Sequence, residues 1–279
     1  MRWLLALMVA VGLRAVGGAD PPVLAELLNR TGEQVRRFEQ EFTLVISEEN
    51  YRQHADGQVI IGLKERRTRA EMLFVWLPEE LVWLTVRSVV SADGRPVPGS
   101  EGRLDSALHA SVSDRLAGLR RVINDNARFN VGRTYRNFNY PTLVLSFLDP
   151  AIQPRFTFGL AGRERIHGVD AWKVNYEERG SPTVIQGDGA DIKSRGSVWV
   201  AVQSGAVVRT QLALTIPPAA WATVEVDYQH DPKLTMWVPV AMHETYMDMR
   251  GSAVHEHIGG EATYSGFRRF ETSGRVLVP

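Results

Sequence analysis

Three histidines near the C-terminal end, His243, His255 and His257, alternate with Glu244 and Glu256. Imidazole nitrogens and carboxylate oxygens are the donors that zinc and copper take where thiolates are missing, and this chain has no cysteine. Such donors converge only if strands bring them together. Val240, Met242, Val254 and Ile258 are all even-numbered, so a shared apolar face needs antiparallel partners whose numbers sum to an even value. A turn centred on Arg250 gives the sum 500, sets His243 opposite His257 and Thr245 opposite His255, and puts all three imidazoles on one side. Opposed and diagonal Cβ atoms on one face lie roughly 5–8 Å apart, close enough for a shared ion. The same face carries Pro239, Ala241 and Thr263, so half-exposed histidines are the plainer expectation.

Other chemistry is sparse. The His-Glu pairs are not H-E-x-x-H, because Met247 and Gly259 stand four places after His243 and His255. No G-x-S-x-G, P-loop or G-x-G-x-x-G is present. Gly187, Asp188, Gly189 and Asp191 miss three ligand positions of a calcium loop and read as plain loop. Arg268 and Arg269, between Phe267 and Phe270, suit a strand end whose aromatics pack while the guanidinium groups face water, with a lipid phosphate as the sharper reading. No catalytic residue and no cofactor is expected beyond zinc or copper at the histidines.

The elements that position these residues are mostly strands. Residues 197–202 and 208–216 alternate apolar and polar, and the intervening Gln203-Ser204-Gly205-Ala206 supplies glycine where a hairpin needs a positive φ. Residues 223–229 repeat the pattern, His230-Asp231-Pro232-Lys233 turns the chain, and a strand carrying Val238, Val240 and Met242 leads to a last return at 254–270. Upstream, the period of two predicts strands at 43–54, 58–69, 70–77 and 81–91, then at 156–160, 163–166 and 171–177, with 181–194 as loop. The charged run 64–69 reads as an edge or a solvated face. Apolar residues at spacings of three and four predict helices over 21–42, which Gly32 could divide, over 103–129, and over a short stretch at 142–148.

Composition sets outer bounds. The apolar run from Trp3 to Leu13 behind Arg2, followed by Gly17, Gly18 and Ala19, reads as a signal peptide cut near Ala19, leaving a single domain over 20–279. The chain carries 32 basic and 32 acidic residues, and loss of Arg2 and Arg14 with the leader leaves 30 against 32. That balance offers no electrostatic footprint for nucleic acid. An exported chain without disulfides must rely on burial, and about 260 residues can bury on the order of 70% of their unfolded surface.

The order of elements, together with the phrase Trp199-Val-Ala-Val-Gln-Ser-Gly-Ala-Val-Val-Arg209, which fits W-V-x-x-x-(T/S)-G-x-V-x-R, resembles the LolA and RseB superfamily. The closing phrase from Gly260 to Phe270 is similar to the end of a group of uncharacterised secreted bacterial proteins of that design. The resemblance implies an α+β fold, a strongly curved antiparallel sheet forming an unclosed barrel, with helices on its concave side. It implies a periplasmic or secreted, non-catalytic binding protein that holds a lipid or acyl chain, or an envelope protein partner, with peripheral membrane contact compatible. It brings no catalytic residues.

The residues point the same way. Val198, Val200 and Val202 alternate with Trp199 and Ala201, and Leu73 and Val75 with Phe74 and Trp76, so these strands are apolar on both faces and need covering on both. The expected lining of the hollow is Phe74, Trp76, Trp83, Trp199 and Tyr228 on strands, with Leu108, Val112 and Leu116 on the covering helix. Two rival functions stand beside it: a metal-dependent hydrolase at His243, His255 and His257, and an envelope sensor or scaffold domain with no small ligand.

Overall fold

A computed structural model describes residues 24–57, 64–110, 112–132, 136, 138–187, 190–251 and 254–270. The expected leader lies outside these residues, as do Asp188 and Gly189 of the suspected calcium loop. No described helix is long and apolar enough to cross a membrane.

Helix α1 (Leu24–Phe42) buries Leu27, Thr31, Val35, Phe38 and Phe42, the spacing its sequence predicts. Gly32 does not divide it. A Cβ there would sit 2.8 Å from Pro150 Cγ, so glycine permits close approach to the chain crossing beneath. Strands β1 (Val45–Gly57), β2 (Glu65–Leu77) and β3 (Val82–Ala92) follow, with a two-residue edge strand β4 (Arg95–Pro96). The charged run and the apolar run are one strand, not two; a register shift between Arg69 and Ala70 in the pairing with β3 marks the change of character.

The predicted helix over 103–129 is two helices, α2 (Arg103–His109) and α3 (Val112–Asn126), because Ala110 is extended, with ψ at 163°. A short α4 (Leu143–Ser146) follows. Strands β5 (Phe156–Ile166) and β6 (Val169–Glu178) form a hairpin, and the expected gap near residue 161 is again a register shift within one strand, between Leu160 and Gly162. The expected loop at 181–194 contains a small ribbon, β7 (Ile185–Gly187) with β8 (Ala190–Ile192). The chain closes with β9 (Ser194–Ala201), β10 (Val207–Ile216), β11 (Ala220–Asp231), β12 (Met236–Gly251) and β13 (Val254–Arg269). Between β9 and β10, Gly205 takes the left-handed φ of 75° that the hairpin turn requires.

The large sheet has eleven antiparallel strands in the order β4-β3-β2-β1-β13-β12-β11-β10-β9-β6-β5, curved and not closed. The curvature follows from one small element. Helix α4 touches both β3 and β10, which are six strand spacings apart, or roughly 29 Å in a flat sheet. A four-residue helix is only about 6 Å long. The sheet must therefore bend around it, and the face that α4 touches is the concave one.

That face holds the main core, which runs from Phe74 and Trp76 on β2 through Tyr228 and Val224 on β11 to Tyr176 on β6. Helix α1, α4 and the connecting residues around 138–152 fill it. Helices α2 and α3 lie on the other, convex face, where Leu104, Leu108, Leu119 and Val122 pack on Ile46, Leu73, Val75 and Val86. Over β1–β3 both faces are thus covered, as two-sided apolarity demands.

Candidate functional site

Of the eight residues expected to line one hollow, Phe74, Trp76, Trp83 and Tyr228 share the concave core. They sit beneath α1: Phe38 stacks on Phe42 at 4.5 Å, Phe42 lies 4.9 Å from Phe74, Phe38 5.7 Å from Trp83, and Trp76 5.3 Å from Trp83. Leu108 and Trp199 do not join them. Leu108 belongs to the convex cluster under α2 and α3. Trp199 belongs to a third cluster with Ile166, Ala171, Ala201 and Val208. Among the described residues no helix joins the Trp199 cluster; Lys173 Nζ stands 4.9 Å over its ring, Arg209 flanks it, and its Nε1 donates to Glu164 Oε2 at 2.8 Å. The side chains of Val112 and Leu116 lie outside the described residues.

Under α4 the hollow is filled by the chain itself. The space between Tyr140, Leu143 and Val144 and strands β10 and β11 amounts to about 10 Å³, no more than one water requires. Beside it lies a buried polar network that sequence reasoning missed. Arg136, on the connection between α3 and α4, is fully enclosed and reaches Glu244 at 3.3 Å, Gln53 at 2.7 Å and the Val131 carbonyl at 3.1 Å. Tyr51 and Tyr246 both donate to the Glu244 carboxylate. A second pair, Arg87 on Glu49 at 2.6 and 3.0 Å, flanks it on the same face. Burial, then the neighbouring Glu244 carboxylate, pushes the Tyr51 hydroxyl well above its ordinary range. Two cations and two anions balance, and they clamp the connection to the sheet. In the sequence Arg136 is one of three arginines, with Arg128 and Arg133, in a polar stretch, and nothing there sets it apart.

Open space remains along the flanks of α1. One groove of about 310 Å³ runs between Val35, Arg37 and Phe38 on α1 and Ala206, Val207, Tyr228, Met236 and Trp237 on the sheet. Its lining is mainly apolar, and Arg37 at its mouth is exposed, with no hydrogen-bond or ion-pair partner among the described residues. On the opposite flank a cleft of about 370 Å³ is bordered by Trp76, Pro78, Leu81, Glu39 and Asp149. The Glu39 carboxyl, buried and beside Asp149, is pushed up to about 9, first by burial and second by the Asp149 carboxylate. A third recess of about 460 Å³ lies between the β2–β3 turn and Ile185.

The three histidines do not converge. Strands β12 and β13 pair with His243 opposite Glu261 and Met247 opposite His257, a sum of 504 and not 500. The even sum and the shared face hold. The four-residue shift places His243 four positions along the ladder from His257, roughly 13 Å away. The hairpin is longer than the turn at Arg250 implied, because both strands run on to Gly251 and Val254. His257 has different neighbours: Asp56 lies opposite it on β1, and His54 is two positions along.

No family model matches this chain, and no curated protein matches it. Among solved structures it is similar to a DUF1329 family protein from Desulfovibrio piger, at 10% identity over 89% of this chain and 95% of that one, with a TM-score of 0.34. A putative outer membrane lipoprotein-sorting protein domain from Vibrio parahaemolyticus aligns at 10% identity over 88% and 94%, with a TM-score of 0.35. The lipoprotein LppX of Mycobacterium tuberculosis aligns at 12% identity over 90% and 99%, with a TM-score of 0.28. At these identities and TM-scores the likeness carries nothing over to this chain. The sheet order, curvature and concave helix described above define an unclosed half-barrel of antiparallel strands with helices packed on it.

Proposed function

We propose that the protein is an exported, non-catalytic binding protein that takes the apolar chain of an anionic amphiphile, such as a fatty acid or lipid acyl chain, along α1. The observation that carries this reading is the groove of about 310 Å³ whose apolar walls end at the unpaired Arg37. Small-molecule sites are concave and mostly apolar, of about 300–1,000 Å³, with a few polar groups that fix orientation. Val35, Val207, Met236 and Trp237 would meet the chain. Arg37 would meet a carboxylate or phosphate head. The site lies beside α1 rather than in the depth of the hollow, which the chain's own residues occupy.

The test uses a fatty acid brominated along its chain, which quenches tryptophan emission at contact. Titration is expected to quench a component that disappears in Trp237→Phe. Ser204→Trp, at an exposed position on the groove wall, is expected to block binding, and Arg37→Glu to weaken it roughly fivefold, about 1 kcal/mol. Quenching that persists unchanged in Trp237→Phe and Ser204→Trp, or no quenching at all, overturns the assignment.

A further inference from the structure

We propose that His54, Asp56 and His257 form a site for a divalent late transition-metal ion, Zn²⁺ or Cu²⁺, on the convex face of the sheet. One donor atom from each residue lies within 4.8 Å of those of the other two. The register explains why. On β1 and β13, Asp56 pairs with His257 and His54 with Gly259, so the three side chains occupy adjacent positions on one face. The imidazole rings stand 6.3 Å apart at 65°.

Gly259 makes this arrangement possible. A Cβ at that position would overlap the His54 ring, so the absence of a side chain lets the imidazole lie across β13 beside His257. The φ of Gly259 is ordinary, and no turn is involved, so backbone conformation does not account for the glycine. None of the three side chains has a hydrogen-bond or ion-pair partner among the described residues.

Two imidazoles and a carboxylate are a nitrogen-rich set. It suits zinc or copper and not calcium or magnesium, which take oxygen ligands. Donors bound at about 2.0–2.2 Å would draw together by about an ångström from the separations here. The exposed side chains of His54 and Asp56 are free to do so. Met247, opposite His257 on β12 and exposed, puts a thioether on the same face, and soft sulfur favours copper. Coordination positions away from the sheet stay open to solvent.

The experiment is isothermal titration of the tag-free chain with Zn²⁺ and, separately, Cu²⁺. One equivalent is expected to bind. His54→Ala and His257→Ala are each expected to weaken binding at least as much as the roughly 10–100-fold typical of lost supporting contacts. His243→Ala should leave binding unchanged, since that residue pairs with Glu261 elsewhere on the ladder. Paramagnetic resonance of the Cu²⁺ form should show two coupled nitrogens that fall to one in either single variant. Gly259→Val should weaken binding while circular dichroism reports the fold retained. No binding at about 100 µM metal, or binding that survives the His54→Ala, His257→Ala double variant, overturns the site. Neither result bears on the groove at α1, which shares no residue with it.

Discussion

Arg136 belongs to the connection between α3 and α4, yet its guanidinium is enclosed and bound by Glu244, Gln53, Tyr51 and the Val131 carbonyl. A buried charge is tolerated only when it is paired and its donors are used. Arg136→Ala removes the partner and leaves Glu244 inside, so it is expected to cost about 3–5 kcal/mol in urea unfolding. Arg136→Leu combined with Glu244→Leu should recover much of that loss; a double variant as unstable as the single one would show that the pair is not the unit. Nothing at residue level in the sequence announced this network, because its members come from β1, β12 and a connection and meet only when the sheet curls. The histidines teach the same lesson from the other side. Their parity, and so their shared face, was legible from Met242 and Ile258, but which rung each occupies depended on a turn whose place no residue type dictates.

At the scale of elements, α1 is the piece that closes the hollow, and Glu39 is its one buried carboxyl against Asp149. With its acidity held at about 9 in the folded chain against 4.5 for the free side chain, Glu39 keeps its proton where the unfolded chain has lost it. Folding stability from this group is therefore intact below about 4.5 and declines as pH rises toward 9. Glu39→Gln, which cannot ionise and can still donate to Asp149, is expected to stabilise the protein by on the order of 2 kcal/mol at pH 7. The gain should vanish near pH 4 (about the free carboxyl range) in thermal melts across pH; equal gains at both pH values would overturn it. The spacing of Leu27, Val35, Phe38 and Phe42 announced α1 and its buried side. The stripe through Leu104, Leu108 and Leu119 announced α2 and α3 equally well, but an apolar stripe packs on either surface of a sheet that is apolar on both. Choosing the concave side for them was wrong for that reason. The break at Ala110 was equally unmarked, since alanine has no preference against helix.

For the whole molecule, the concave core is continuous from β2 to β6, and α1 touches both β2 and β5 near opposite edges of the sheet. The smaller convex clusters around Leu104 and Trp199 belong to one half each, but the largest core spans both. Heat or urea should therefore unfold the protein in a single transition, with near-ultraviolet and far-ultraviolet dichroism changing together; two separated transitions would show that the sheet is divided. Residue order alone determined the antiparallel strands, the first helix, the hairpin turn at Gly205 and the two-faced apolar character of the central strands, because each is set by local periodicity or by a φ that only glycine takes cheaply. Tertiary structure alone decided how far the sheet bends, which surface α2 and α3 cover, how much of the hollow stays open, and that His257 lies beside His54 and Asp56. Those outcomes depend on strand register and on packing between residues as far apart as Tyr51 and Glu244, and beyond register parity neither can be read from the order of neighbours along the chain.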